Sequence, residues 1–291
     1  IEMIEEKYSH HPGKIVPSNL PSSVADAEQL WKWAKSSVMH WFGPYEDAMT
    51  QEHKTLFHTT VSSLLNLNRL MPKTLLDDAL KLEIPLNSKE GFVRQIIGWR
   101  EFVRHVHELT DGFEIETQEI PSRNGAGWEG EWSKSRITPN VLDNNVALPP
   151  TYWGEKSGML CLDTAVSDVV ETGYAHHIPR LMVLANIGNL LGINPRELTD
   201  WFWAMFTDAY DWVVEPNVLA MGTYAVGDVM TTKPYVSGTP YIKKMGDYCG
   251  DCSLHFKKSC PISDMYWNFL EENQTHFTKN HRMAMPMRTL A

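Results

Sequence analysis

One stretch of this 291-residue chain leaves little freedom in how it folds. A first helical pattern runs from about Ile178 to Leu191. Pro179 lies in its first turn, where a missing N–H costs nothing, and Gly192 is the C-terminal stop. Asn194-Pro-Arg-Glu197 then caps a second helix that continues to about Trp212. Helices joined by so short a turn run antiparallel. The turn centres near Ile193, so Arg180, 13 residues before it, and Asp208, 15 after it, become neighbours. A buried Arg–Asp bridge there is costly to desolvate, and losing one partner costs more. The same spacing also suits a solvated surface pair of little energetic weight.

Elsewhere the helical signals also dominate. Asn87-Ser-Lys-Glu90 has the form of a capping box, and Phe92, Ile96, Trp99, Val103 and Val106 follow at helical spacing. No Gly-rich strand–turn–helix suggests a Rossmann or P-loop site, so the chain is expected to be mainly α. Residues 1–40, rich in Pro, Ser and His, are expected to form a linker and a leading helix near Ala25–Trp41, with one helical domain over 41–291. Residues 111–150 hold Gly, Asn and Pro without a sustained period and are expected to be a long irregular excursion. The start at Ile1 and the end at Ala291 read like the inside of a longer protein.

Net charge is −10, which at first argues against a nucleic-acid partner. The C-terminal stretch from Thr231, however, holds eight Lys/Arg against five Asp/Glu, and a local basic patch on an acidic body can still steer an anion. No apolar run approaches the roughly 18 residues of a membrane span. Four cysteines in so long a chain do not make a secreted disulfide framework, and a reducing cytoplasm is expected.

Those cysteines are the first candidate site. Cys249 and Cys252 form a C-x2-C chelate, Cys260-Pro261 follows after seven intervening residues, and Cys161 stands 88 residues upstream of Cys249. Zinc, an iron–sulfur cluster and unliganded thiols all remain open on spacing alone. A second candidate is Tyr174-Ala-His176-His177-Ile-Pro-Arg180, where two histidines lead into a helix. They can be structural, or can act as acid, base or ligand. Eleven Trp and ten Tyr are consistent with core packing, with base stacking, or with a chain of redox-active rings.

Taken together, several segments resemble the iron–sulfur bacterial cryptochromes and photolyases, whose characterised members repair (6-4) photoproducts. They include Phe42-Gly-Pro-Tyr-Glu-Asp-Ala-Met49, Leu56-Phe-His-Thr-Thr60, Gly91-Phe-Val-Arg-Gln-Ile-Ile-Gly-Trp-Arg-Glu-Phe102 and Leu148-Pro-Pro-Thr-Tyr-Trp-Gly154. Gly173-Tyr-Ala-His-His-Ile-Pro-Arg-Leu-Met182, Asp208-Ala-Tyr-Asp-Trp212, the cysteines and Asn280-His-Arg-Met283 continue the match over roughly residues 20–291. The resemblance implies an all-helical FAD-binding domain, with the family's N-terminal α/β antenna domain absent from this chain. It places Thr59, Thr60 and Ser62 along the pyrophosphate of FAD and Arg180 with Asp208 beside the isoalloxazine ring. Asp211 and Glu215 fall on the N3 and N5 side of that ring, and Glu101 faces a lesion. His177, with His176 beside it, matches the histidine that gives a proton to the lesion. Cys161, Cys249, Cys252 and Cys260 match the four ligands of a [4Fe–4S] cluster. Trp201 and Trp153 match electron-relay positions.

The implied activity is light-driven repair of (6-4) photoproducts in damaged DNA by a monomer, with blue-light signalling by a cryptochrome as the alternative. Three departures stand out. Trp201-Phe202 replaces the family's Trp-Tyr and removes a phenol from any tyrosine branch. Ala225-Val-Gly-Asp228 replaces Ala-Asp-Gly-Gly, and Asn68 stands where Gly is common. Asn tolerates a left-handed backbone better than most residues, so the last change is mild.

Overall fold

The computed structural model describes residues 1–17, 20–113, 122–124 and 137–290. It is mostly helical, as expected. The one sheet among the described residues is a ribbon pairing Ser122–Asn124 antiparallel with Ile137–Pro139. Much of the excursion expected over 111–150 lies outside the described residues. No helix among the described residues is long and apolar enough to cross a membrane.

Helix Val24–Ser37 opens the packed part of the chain. Ser23 Oγ accepts from Asp26 N at 3.1 Å and Asp26 Oδ2 accepts from Ser23 N at 2.9 Å, a reciprocal cap. Ala27, Trp31 and Ala34 are buried with Phe42, Leu64, Leu75 and Phe92 in one core. The capping box expected at Asn87 does not form. The helix begins at Leu86, directly after Pro85, and has no side-chain cap. Ser88 is used for packing instead: its Oγ donates to His40 O and accepts from Gly43 N, both at 2.9 Å, which ties this helix to Phe42–Tyr45.

The hairpin forms and lies in the largest core. Its first arm is a widened π-helical stretch, Pro179–Ala185, continued by Asn186–Leu190. Gly192 ends it at φ +67°, a conformation that favours glycine. The second arm, Pro195–Met205, starts with Asn194 Oδ1 accepting from Arg196 N. The arms approach closely because position 188 is glycine, where a Cβ would stand 2.7 Å from Leu198 Cδ2.

The second arm does not reach Trp212. At Phe206 the backbone turns extended, and Thr207 N donates to Gly173 O at 2.9 Å instead of closing another helical turn. Asp208 therefore sits in a loop held against the segment before the first arm. Asp211–Val214 restarts the helix, and Glu215–Gly222 continues it as another π-helical stretch that packs on Pro179–Ala185. Such widened turns often sit at functional sites.

Arg196 fastens this arrangement internally. Its Nη1 and Nη2 donate to Glu215 Oε2 and Oε1 at 2.9 and 2.8 Å, its Nε donates to Asp200 Oδ1 at 2.8 Å, and all three residues are buried. Trp203 Nε1 adds a bond to Glu215 Oε1 at 3.2 Å. Removing one member of such a pair leaves a desolvated charge short of partners. Glu215→Ala is therefore expected to lose about 3–5 kcal/mol in urea unfolding. A loss below about 1 kcal/mol would show that the pair is not needed for stability.

Candidate functional site

The expected pair between Arg180 and Asp208 is present and bidentate. Arg180 Nη1 reaches Asp208 Oδ1 at 2.9 Å and Nη2 reaches Oδ2 at 3.0 Å. Asp208 is buried, so this is the costly bridge rather than the surface one. The rest of each group is also engaged. Ser62 Oγ donates to Asp208 Oδ2 at 2.5 Å, Asn66 Nδ2 donates to Asp208 O at 3.1 Å, and Arg180 Nε donates to Ala175 O at 2.6 Å. The guanidinium lies 4.2 Å from the Phe206 ring centroid. Burial works to raise the Asp208 pKa, but the Arg180 charge with its hydrogen bonds and the Ser62 hydroxyl hold it below the usual carboxylate value.

The loop before Ser62 carries the other expected anion contacts. Thr59 is buried and Thr60 adopts φ +54°, a strained choice for a β-branched residue. Ser62 does not have its hydroxyl proton available for a phosphate, because it is given to Asp208. Asn68 takes φ +54°, as its place at a common glycine position suggested.

His176 and His177 converge with a third imidazole that received no role from the sequence, His58. The His58 and His176 rings stack with centroids 4.2 Å apart and planes 11° from parallel, and His177 meets His58 edge-on at 5.2 Å. His58 Nε2 and His176 Nδ1 are buried without a hydrogen-bond partner. Burial, followed by the neighbouring histidines, pushes His58 down to about 2 and His176 to about 3, so both are neutral at ordinary pH. The His177 side chain is 44 % exposed and its Nε2 lies 3.8 Å from Asp47 Oδ1. The nearby His177 ring outweighs burial and holds the Asp47 carboxyl below its usual value.

One nitrogen from each of the three imidazoles falls within 4.8 Å of the others, close enough to consider a metal ion. The stack argues against it. A metal is bound in the plane of an imidazole, and nearly parallel rings aim their lone pairs side by side instead of at a common point.

The other expected residues are dispersed. Asp211 is half-exposed, with Oδ2 2.6 Å from His107 Nε2. Glu101 pairs with Arg104 at 3.0 Å on an exposed helix face. Glu215 is not turned toward an open site: both oxygens bind Arg196 in the core. Trp201 is buried, donates to Tyr152 O at 2.9 Å and packs edge-on to Tyr152, Phe202 and Phe206. Trp153, next to Tyr152, is 56 % exposed.

The four cysteines, distant in sequence, line one mostly apolar pocket with Met159, Ile242, Tyr248 and Ile262, and none forms a disulfide. Cys161 lies in the first turn of Leu160–Thr172, Cys249 within Tyr248–Asp251, Cys252 just after it, and Cys260 before Ile262–Glu272. Burial, then crowding by the other three sulfurs, pushes the Cys161 thiol up to about 12. Deprotonating the set requires a compensating cation. No three of the four sulfurs lie within 4.8 Å of one another. One tetrahedral zinc, with bonds of 2.3 Å, holds its sulfurs about 3.8 Å apart, so the pocket is wider than a single ion needs.

Known proteins place this arrangement. The chain is 32 % identical over 300 residues to a (6-4) photolyase of Agrobacterium fabrum, a match that covers all of this chain and 55 % of that protein. The chain belongs to the photolyase/cryptochrome family. It spans about half the length of that relative. A bacterial class III photolyase from Agrobacterium tumefaciens shares the fold at a TM-score of 0.59 with 15 % identity, over 94 % of this chain and 52 % of the other. A cryptochrome of Synechocystis sp. PCC6803 does so at 0.56 with 14 % identity, over 92 % and 56 %. An uncharacterized protein of Acanthamoeba polyphaga mimivirus is 33 % identical over 96 residues, covering 33 % of this chain and 75 % of that one. No protein-family model matches the chain. Membership implies FAD as the cofactor.

The neutral histidine pair has a consequence for stability. Both pKa values are depressed from 6.5, so the contribution is complete above pH 6.5 and is lost as pH falls toward about 3 and about 2. Between those limits the unfolded chain binds up to two more protons, a slope of about 1.4 kcal/mol per pH unit for each. His58→Gln is expected to remove one of the two protons from the acid limb of stability against pH, measured by urea unfolding from pH 7 to 4. An unchanged slope would show that His58 is not held neutral.

Proposed function

We propose that this chain is the FAD-binding and lesion-handling part of a light-driven DNA photolyase, acting as a monomer on (6-4) photoproducts. The observation that carries the reading is the position of His177. It is the exposed member of a histidine cluster whose other two rings are neutral, and it lies three residues before the locked Arg180–Asp208 pair. The photolyase relative supports the same reading.

Bound FAD supplies light absorption and a transferable electron. The residues of this chain hold and orient it. Thr59 and Thr60 would face its pyrophosphate, and Arg180 with Asp208 would border its ring as a fixed pair whose charges are already balanced. Asp211, half-exposed after the Asp208 loop, would lie on the polar edge of the ring. Glu215 has no direct part in this scheme, because Arg196 holds it in the core.

A damaged nucleotide must leave the duplex stack before any side chain can reach it, and a lesion costs less to extrude than an intact pair. In a (6-4) adduct a group moves between the two bases, so a proton must be given and later taken back. His58 and His176 cannot serve near neutral pH, since burial keeps them unprotonated. His177 is open to solvent, with Asp47 beside Nε2 to orient the ring. Glu101, on an exposed helix face, would add a polar contact to the lesion. Trp153 at the surface and Trp201 in the core would relay electrons inward. Phe202 has no phenol with which to extend that route.

The four cysteines would hold a [4Fe–4S] cluster. Their number, the absence of disulfides and a sulfur spacing too wide for one zinc ion support this assignment. Iron and zinc analysis of full-length protein prepared without oxygen is expected to give about four iron atoms per chain. One zinc and no iron would remove the assignment.

The repair reading is tested with His177→Asn in the full-length flavoprotein. The variant is expected to keep its flavin and its photoreduction, yet repair a (6-4) duplex under light roughly 10²-fold more slowly or worse. Repair at the parent rate would remove proton transfer from His177. A parent protein that photoreduces but repairs nothing would favour the signalling alternative.

A further inference from the structure

The turn between Cys252 and Cys260 borders the cysteine pocket, but its lysines belong to no site described so far. Lys257 and Lys258 are exposed on it, and Lys243 and Lys244 are exposed at the C-terminal end of the adjoining helix Thr239–Met245. The four line one groove with Phe256, Cys260 and a single carboxylate, Asp264. Among the described residues none of the four has an ion-pair partner, in a chain whose net charge is −10. So concentrated a positive field on an acidic body calls for an anionic partner.

The turn is rigid where it presents them. The N–H groups of Lys258, Ser259 and Cys260 converge on His255 O at 3.0, 3.0 and 3.2 Å, while His255 N donates to Ser259 Oγ at 2.8 Å. Ordering of this backbone is therefore complete before any partner arrives. Phe256 is not free to stack on a base, because Lys243 Nζ covers its ring at 3.4 Å from the centroid. The groove thus offers point charges on flexible stems and little else, a chemistry suited to phosphates without regard to sequence.

Position relative to His177 selects the polyanion. Asp47 faces His177, and two residues later Met49 N donates to Met245 O at 2.7 Å, at the end of the helix that carries Lys243 and Lys244. Thr50 Oγ1 then donates to Asp247 at 2.6 Å. A short, bonded segment therefore joins the His177 opening to the lysine groove. We propose that Lys243, Lys244, Lys257 and Lys258 contact the phosphate backbone of duplex DNA beside the nucleotide presented to His177. The proposal rests on the reading that the chain acts on damaged DNA.

The test measures binding of full-length holoprotein to two labelled duplexes, one carrying a (6-4) lesion and one intact, across a potassium chloride series. Each phosphate contact contributes about 0.9 to the slope of log K against log salt. The fourfold variant K243Q/K244Q/K257Q/K258Q is expected to lower that slope by about 3 to 4 for both duplexes alike, leaving the preference for the lesion unchanged. The two double variants, K243Q/K244Q and K257Q/K258Q, should each lose about half of this, which decides the matter if the fourfold variant does not fold. Replacing all four with arginine should keep the slope.

An unchanged slope in variants that still prefer the lesion would overturn the lysine assignment while leaving the repair reading in place. Unchanged DNA binding together with slower reduction by an acidic electron-donor protein would overturn it in favour of a redox-partner surface. If the parent binds both duplexes equally but the variants lose slope, the lysine assignment stands and the repair reading fails.

Discussion

The bond between Arg180 and Asp208 is the contact on which the rest of the site depends. It joins three pieces of chain that the sequence keeps apart: the short helix Ser62–Asn66, the first arm of the hairpin, and the extended turn after the second arm. A bidentate pair is worth its desolvation cost only where the geometry is good and the remaining donors and acceptors are engaged. Here Ser62 serves the carboxylate, Ala175 O serves Nε and Phe206 covers the guanidinium face. The histidines inherit their positions from this bond. Ala175, which Arg180 grips, immediately precedes His176, so the imidazoles are held from one side by the pair and from the other by His58.

The histidine cluster also shows how one packing choice limits several chemical ones. Stacking His58 on His176 keeps both dry and neutral, and it holds their lone pairs in two separate, nearly parallel planes. That costs stability in acid and removes the pair as proton donors near neutral pH. It also spoils the cluster as a metal site although the nitrogens are close. What remains is one exposed imidazole resting on an uncharged base, with Asp47 as its carboxylate neighbour. A charged His176 beneath it would repel any proton added to His177. A neutral one does not.

The hairpin, its glycine stop and the Arg180–Asp208 contact were legible in the sequence because each follows from local rules: proline in a first turn, glycine at a C-terminus, and antiparallel register. The break at Phe206 was not, since nothing in Met205-Phe206-Thr207 announces that Thr207 N will bond to Gly173 O. The same limit explains Glu215. Its partner Arg196 is 19 residues away across a break that local helix signals do not reveal, so nothing in the sequence distinguishes a core ion pair from a cofactor contact. His58 gave no signal of its own. It lies in a matched stretch, but only tertiary packing sets it against His176. The cysteines were legible as a group through count and resemblance, whereas their spacing, which distinguishes a wide centre from a single ion, exists only in three dimensions.

Aromatic packing carries the organisation of the site into the core. Arg180 rests on Phe206, Phe206 stacks on Phe202 at 5.0 Å, and Trp201 meets both edge-on before reaching Tyr152. Each ring in this column has a structural duty: Trp201 Nε1 donates to Tyr152 O, and Tyr152 OH donates to Leu184 O at 2.7 Å. Phenylalanine at 202 suits the column as packing, because a buried ring without a hydroxyl needs no hydrogen-bond partner. Phenylalanine in place of tyrosine thus lacks a phenol and strands no hydroxyl in the core.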